Sequence, residues 1–140
     1  MIHRTGSKVA AVVVVFGPDD RFRKLLLSLV EQANKVWVID NQPNYAFDKY
    51  LKGQKPCHRN NITLIENKKN VGLAAAQNQG IKLALEDGVD WVLLLDQDSI
   101  LDKDFVKNML KAGHKYKNKK NIGFLTPRHE FDDGSPSVPA

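Results

Sequence analysis

Two aspartates, Asp96 and Asp98, follow the apolar run at residues 91–95, with Gln97 between them. An uninterrupted apolar run is typical of a strand that is covered on both faces, as in a parallel sheet with helices on either side. Ligands bind just outside the carboxyl ends of such strands. Two neighbouring carboxylates repel each other, and a divalent cation with a phosphate-bearing ligand would relieve that repulsion. The alternative is a solvated turn in which Asp98 or Ser99 caps the next helix.

The elements that must position these aspartates are visible as periodic segments along the chain. Apolar runs predict strands over residues 9–16, 36–39, 62–65, 91–95 and 121–125. Apolar positions at helical spacing predict helices over residues 22–33, 73–86 and 101–112, with Gly113 just past the last of them. Strands that alternate with helices in this way predict a three-layer α/β/α sandwich with a mainly parallel sheet. The first strand ends at Phe16 and Gly17, and the second ends on an acid, Asp40, so three strand ends carry candidate ligand groups at one edge.

Composition restricts the class of protein and its partners. The chain has 140 residues, of which 42% are hydrophobic and 26% charged, as expected for one globular domain. Its net charge is +5, and lysines cluster over residues 103–120. Such a cluster indicates a solvated helix end, or peripheral contact with an anionic membrane surface. Nucleic acid is not expected as a partner, because Phe105 and Tyr116 are the two aromatic residues among these lysines and no nucleic-acid-binding motif is present.

The single cysteine, Cys57, excludes an internal disulfide and suits a reducing cytoplasm. One Cys and four scattered His do not predict a zinc site. The apolar start of the chain lacks a signal-peptide cleavage site, and no run approaches the ~20 apolar residues of a membrane span. We therefore expect a flexible N-terminus over residues 1–8, one domain over residues 9–127, and a loop or frayed tail over residues 128–140 that marks a truncation point.

Four motifs, in this order and spacing, resemble a known family. They are V-V-V-V-F-G-P-D at residues 12–19, V-I-D-N at 38–41, N-x-x-N-V-G-L-A-A-A-Q-N-Q-G at 67–80 and L-L-D-Q-D-S at 94–99. The chain resembles the N-terminal, nucleotide-binding half of the inverting GT-A glycosyltransferases of family 2. The L-A-A-A-Q-N-x-G-I run and the D-Q-D-S form are similar to the rhamnosyltransferase-like group. The resemblance covers residues 9–127.

The resemblance implies a Rossmann-like half domain that binds a nucleoside-diphosphate sugar, with dTDP-rhamnose as the expected donor. It implies a base pocket lined by Phe16, with Asp40 accepting a hydrogen bond from the pyrimidine imide N–H. It implies that Asn70, Gly72 and Asn78 flank the nucleotide. Asp96 would reach the ribose or the metal's waters, and Asp98 would ligate a divalent metal, Mg2+ or Mn2+. The implied partner is a glycan or lipid-linked acceptor. From Cys57 and the lysine cluster, the expected place is the cytoplasm, at the inner face of the membrane.

The chain departs from the family pattern at Val15, Phe16 and Gly17, where a Thr-Tyr-Asn-like sequence is usual, and at Pro43, where Ser is common. The general base of the family lies in a C-terminal half, so we expect it outside this chain and expect the chain alone to be inactive. Two alternatives stay open. One is a nucleotide-binding module without catalysis, and the other is a phosphatase of the haloacid dehalogenase type with Asp96 as nucleophile.

Overall fold

The computed structural model describes residues 6–42, 47–51, 60–115 and 122–127. Within these ranges lie the strands β1 (Val9–Val15), β2 (Lys35–Asp40), β3 (Ile62–Glu66) and β4 (Trp91–Asp96). The helices there are α1 (Asp20–Gln32), α2 (Asp48–Leu51), α3 (Leu73–Glu86) and α4 (Phe105–Lys115). The expectations for residues 1–5 and 128–140 lie outside the described residues.

The four strands form one sheet in the order β3-β2-β1-β4, and every pair of neighbours is parallel. The N-terminal strand β1 is therefore central. In the register of the sheet, Val15 of β1 lies opposite Asp40 of β2, and Val14 lies opposite Asp96 of β4. The predicted parallel sheet is confirmed, and its carboxyl ends meet at one edge.

Alternate residues of β1 face opposite layers, since successive side chains of a strand point to opposite faces. Ala11, Val13 and Val15 lie in the apolar cluster that contains the buried face of α1. Ala10 and Val12 lie in a second cluster with Ala76 and Ala84 of α3. The sheet is thus covered by helices on both faces, which accounts for the unbroken apolar sequence of β1.

Helix α1 begins where the chain leaves β1. Asp19 is its N-cap, and its carboxylate accepts a hydrogen bond from the N–H of Arg21. The hydroxyl of Tyr50 donates to the carbonyl of Pro18, and the ring of Tyr50 packs edge-on against Phe22. These contacts fix the loop between β1 and α1, so the end of β1 has a defined position at the sheet edge.

Helix α4 is shifted relative to the sequence prediction. It begins at Phe105, not at residue 101, and Gly113 lies inside it rather than past its end. The side chain of Gln32 bonds to both sides of this start, donating to the carbonyl of Asp102 (3.0 Å) and accepting from the N–H of Val106 (3.1 Å). A cap supplied by another helix is a tertiary contact, so local sequence does not reveal it.

The fifth strand predicted over residues 121–125 is wrong for the part that the structure describes. Residues 122–127 have no strand structure there, because they form no backbone ladder with β4. The side chain of Leu125 instead lies close to Gly113 of α4. Within the described ranges, β4 is therefore an edge strand, and Leu94 is 43% exposed. No helix there has the length and apolar character needed to cross a lipid bilayer.

Candidate functional site

The strand order creates a crevice between β1 and β4. The chain runs outward from β1 to β2 and β3, and then returns through α3 to β4 on the other side of β1. In open parallel sheets, ligands bind outside the carboxyl ends of the strands at such a reversal of strand order. Phe16 follows β1 at this point, and Asp96 and Gln97 lie at the end of β4.

A cleft of about 320 Å³ lies at this place in the structure. The residues that line it come from β1, from the end of β2, from the loop before α3 and from the end of β4. They are Val14, Phe16, Asn41, Asn70, Gly72, Leu73, Asp96 and Gln97. Phe16 and Leu73 are each 55% exposed, so the cleft has two accessible apolar side chains beside its polar groups.

The side chain of Gln97 joins the two strand ends that border the crevice. Its Oε1 accepts from the backbone N–H of Phe16 (2.8 Å), and its Nε2 donates to the carbonyl of Phe16 (3.3 Å). The carboxamide thus forms hydrogen bonds with both the backbone N–H and the backbone carbonyl of Phe16, as a neighbouring strand would. Because Gln97 lies between Asp96 and Asp98, these bonds also fix the turn that carries both carboxylates.

The side chain of Asn41 fixes the opposite wall of the cleft. Asn41 is 3% exposed, and its Oδ1 accepts from the backbone N–H of Val71 (3.0 Å) and from Asn67 Nδ2 (3.2 Å). Its Nδ2 donates to Oδ1 of Asn70 (2.8 Å). Oδ1 of Asn70 also accepts from the backbone N–H of Gly72 (2.8 Å). A buried carboxamide therefore holds the loop that precedes α3.

A second pair of carboxamides ties this loop to α3. Asn67 and Gln79 exchange two hydrogen bonds of 3.0 Å, each side chain donating to the other. The backbone N–H of Asn67 also donates to the carbonyl of Asp40 (2.9 Å). Through these contacts the loop, α3 and the end of β2 form one connected hydrogen-bonded unit.

Asp40 is 1% exposed at the end of β2, and its Oδ1 accepts from the backbone N–H of Gln42 (3.0 Å). Burial raises the pKa of its carboxyl above the ordinary value for aspartate. The hydrogen bond from Gln42 opposes that rise, and the neighbouring carboxylate of Glu66 adds to it. Asp40 and Asp96 lie on strands either side of β1, so their backbones are about 10 Å apart by the usual strand spacing.

Asp98 is half-exposed and forms an ion pair with Arg21, whose Nη1 is 3.6 Å from its Oδ2. The same guanidinium contacts Asp19 through Nε (2.9 Å) and Nη2 (2.8 Å). The hydrogen bonds from Arg21 hold the pKa of the Asp19 carboxyl below its ordinary value. A cation at Asp98 would therefore compete with a side chain that is already paired with Asp19.

The structure brings together four of the seven residues predicted from the sequence. Phe16, Asn70, Gly72 and Asp96 line the cleft. The other three are not among its lining residues. Asp40 is buried at the same sheet edge, Asp98 is paired with Arg21 beyond the cleft, and Asn78 is exposed on α3.

Comparison with known proteins decides the family. The sequence profile of glycosyl transferase family 2 matches residues 10–129, which is most of the chain. The chain belongs to glycosyl transferase family 2. The family membership does not support the phosphatase alternative. It also confirms the resemblance to the N-terminal half of rhamnosyltransferase-like GT-A proteins, which the following similarities support further.

Two similar proteins give the family match more detail. The dTDP-rhamnosyl transferase RfbF of Shigella flexneri is 34% identical over 104 residues, covering 74% of this chain and 33% of that protein. The crystal structure of S. aureus TarS 1–349 aligns with a TM-score of 0.57 at 19% identity, covering 79% of this chain and 32% of that one. The second similarity confirms the fold. This chain spans about a third of the length of each.

Sequence reasoning missed two residues that organise the site, Asn41 and Gln97. Both were visible as polar residues next to a carboxylate at a strand end. In the sequence, Asn41 follows Asp40 within the V-I-D-N motif and Gln97 lies between Asp96 and Asp98, and neither is among the predicted site residues. The signal that could have found them is the carboxamide itself, because one side chain that donates and accepts can satisfy the backbone where a strand ladder stops.

Proposed function

We propose that this chain forms the donor-binding part of a glycosyltransferase whose donor is a nucleoside-diphosphate sugar, with dTDP-rhamnose as the donor. The observation that carries the proposal is the cleft at the reversal of strand order, where an aromatic ring, amide groups and a carboxylate meet. Family membership supports the reaction class. The printed name of the Shigella flexneri relative supports the choice of donor.

The base of the nucleotide would lie on the apolar side of the cleft. Phe16 and Leu73 offer exposed apolar surface there, and a planar base packs well on such side chains. Asp40 would accept the imide N–H of the pyrimidine, as the family resemblance implies. A buried carboxylate without a cation gains more from such a donor than an exposed one does, because water does not compete for it.

The metal would bind at the end of β4. Carboxylate oxygens are suitable ligands for Mg2+ and Mn2+, and such ions bind one or two carboxylates together with substrate phosphates. Asp98, with Asp96 beside it, fits this pattern. In the part of the chain that the structure describes, no group of three or more His, Cys, Asp or Glu is placed to hold a metal alone. The ion, when bound, would neutralise charge on the leaving nucleoside diphosphate.

The acceptor and the general base complete the proposal. The acceptor would be a glycan or a lipid-linked glycan, and the base would come from sequence outside this chain. The lysine-rich segment would allow contact with an anionic membrane surface at the inner face of the cytoplasmic membrane. A nucleotide-binding module without catalysis stays as the alternative for the chain alone.

Titration calorimetry with dTDP in Mn2+, and again in EDTA, tests the proposal. We expect binding that needs the metal, and weaker binding of dCDP than of dTDP because cytosine N3 has no hydrogen to donate to Asp40. Asp98→Asn should remove the metal dependence, while Asn108→Asp, on the exposed side of α4, serves as the surface control. Equal affinity for dTDP with and without metal, or equal affinity for dCDP and dTDP, would contradict the proposed site.

A further inference from the structure

The guanidinium of Arg21 lies between two carboxylates that belong to different parts of the fold. Its Nε and Nη2 bind Oδ2 of Asp19, the N-cap of α1, at 2.9 and 2.8 Å. Its Nη1 lies 3.6 Å from Oδ2 of Asp98, in the turn that follows β4. Arg21 therefore brings a positive charge from α1 to the carboxylate that the proposed function assigns to the metal.

The two contacts of this guanidinium differ in strength. Asp19 accepts from two of its nitrogens at hydrogen-bond distance. The separation from Asp98 is longer than a hydrogen bond, and the side chains of Arg21 and Asp98 are 57% and 51% exposed. An exposed ion pair of this kind contributes little free energy, so another cation can replace it. Arg21 is thus held firmly by Asp19 and only loosely by Asp98.

The backbone of Asp98 is held beside this guanidinium. The two hydrogen bonds of Gln97 with the backbone of Phe16 tie the turn after β4 to the end of β1. Within the turn, the N–H of Ser99 donates to the carbonyl of Asp96 (3.1 Å). A second cation at the carboxylate of Asp98 would therefore lie close to Arg21.

The position of the guanidinium also shows that a cation suits this place. Asp96 and Asp98 are exposed carboxylates on one turn, and the positive charge of Arg21 already offsets part of their mutual repulsion. A divalent ion would supply charge of the same sign and would also take the oxygens of a diphosphate as ligands. Because two cations at one carboxylate repel each other, the ion and the guanidinium compete for Asp98.

We propose that Arg21 is an internal counter-ion of Asp98 in the ligand-free chain, and that metal binding displaces it from Asp98 while Asp19 retains it. The inference rests on the proposed function, because it concerns the metal that this function requires. Arg21 then lowers the affinity of the chain for a metal-bound nucleoside diphosphate. A residue that held the diphosphate itself would raise that affinity, so the sign of the effect distinguishes the two roles.

The decisive variant is Arg21→Gln. It removes the positive charge, while the backbone N–H of residue 21 can still donate to Asp19 and keep the cap of α1. In titration calorimetry with Mn2+, we expect the affinity for dTDP to rise about two- to five-fold, the range that the loss of an exposed ion pair allows. In EDTA the affinity should not rise, because no ion then takes the place of the guanidinium.

Lys24→Gln is the matched control, because it removes one positive charge from an exposed position of the same helix. This variant should bind dTDP as the wild type does in both buffers. In an Asp98→Asn background, Arg21→Gln should leave the affinity in Mn2+ unchanged, because the carboxylate for which the two cations compete is absent. Thermal melting of each variant verifies that the fold is intact.

A second measurement follows the guanidinium itself. In a 1H–15N spectrum of the ligand-free chain, the Nε–H resonance of Arg21 should differ between the wild type and Asp98→Asn. Addition of Mg2+ and dTDP to the wild type should shift this resonance toward its position in Asp98→Asn, because both changes end the contact between Arg21 and Asp98.

An Arg21→Gln chain that bound dTDP in Mn2+ no more tightly than the wild type would overturn this inference alone. Weaker binding in both buffers would also overturn it, and would assign Arg21 to the diphosphate. An Nε–H resonance that was the same in the wild type and in Asp98→Asn would exclude the ion pair on which the inference depends. A wild-type chain that bound no dTDP in Mn2+ would overturn the proposed function, and this competition with it.

Discussion

Gly80 is the point where α3 comes closest to the sheet. A Cβ built at this residue would lie 2.3 Å from Cγ1 and 3.1 Å from Cγ2 of Val12, a side chain that is 1% exposed on the central strand. Val12 is β-branched and has little rotamer freedom to move aside. Gly80→Ala should therefore push α3 away from β1, and with it Gly72 and Leu73 at the cleft.

Two opposing terms decide the magnitude. Replacing glycine by alanine inside an exposed helix stabilises it by about 1 kcal/mol. Overpacking a core costs about 1–3 kcal/mol, and sometimes more. A separation of 2.3 Å is much shorter than an ordinary van der Waals contact, so the cost of overpacking at Gly80 should lie at or above the upper end of that range. We expect Gly80→Ala to lower the free energy of unfolding by about 2 kcal/mol.

Urea denaturation followed by the fluorescence of Trp37 and Trp91 measures this change. Gly113→Ala is the matched control, because the nearest neighbours of its new Cβ would be side-chain atoms of Leu125 (3.2 Å) and Trp91 (3.3 Å), and not a close contact such as the 2.3 Å at Gly80. We expect that control to change stability by less than about 1 kcal/mol.

Val12→Ala should relieve the clash. Gly80→Ala should then cost less in that background, with a coupling energy of about 1–3 kcal/mol in a double-mutant cycle. A Gly80→Ala protein as stable as the wild type, or no coupling to Val12, would refute the placement of α3 on β1.

Three further outcomes are expected. Asp98→Ala should lose the Mn2+-dependent part of dTDP affinity while its melting curve stays cooperative; unchanged affinity in calorimetry would mean that Asp98 is not a ligand. Burial raises the pKa of the Asp40 carboxyl in the folded chain above its ordinary value. The protonated carboxyl therefore stabilises the fold fully below the ordinary aspartate pKa of about 3.9, and this contribution is lost as pH rises through the raised pKa. Asp40→Asn should therefore gain stability relative to the wild type as pH increases across that window, and parallel urea-denaturation profiles from pH 4 to 7 would contradict it. The purified chain with labelled dTDP-rhamnose, Mn2+ and glycan acceptors should bind donor without transferring sugar, because a positioned base contributes about 10²–10⁴-fold; acceptor-dependent transfer at an enzyme-like rate would show that the catalytic groups lie within this chain.

The sequence was sufficient for most of the fold because the central elements have unambiguous patterns. The apolar runs of β1, β2 and β4 predict strands at the positions where the structure has them, with β1 and β2 buried and β4 more exposed at the edge. The prediction failed where tertiary contacts replace local signals. Gln32 determines the start of α4 from another helix, and residues 122–127, although apolar in part, have no strand partner in the described structure.

The sequence predicts which strand ends meet at the candidate site, but it does not predict the hydrogen bonds that hold them there. Motif order placed Phe16, Asn70, Gly72 and Asp96 at one edge, as the structure has them. The hydrogen bond from Asn41 Nδ2 to Asn70 Oδ1 joins residues that are 29 positions apart in the chain. Such a contact depends on how two loops meet across the sheet edge, and no local pattern of the sequence specifies it.

The central position of β1 has a consequence for how the domain assembles. Its neighbour β2 follows soon in the chain, whereas the bond between Lys8 and Asp90, at the start of the β1–β4 pair, spans 82 residues. Closing a loop of that length costs conformational entropy, and the strand contacts offset this cost only after the loop has closed. Pairings of high sequence separation therefore slow folding. During synthesis, β1 and β2 can pair while the other edge of β1 stays open, a state that invites association with other chains. The cleft lined by Phe16 and Gln97 does not exist until β4 has paired with β1, so the proposed nucleotide binding would report this long-range pairing rather than the pairing of β1 with β2.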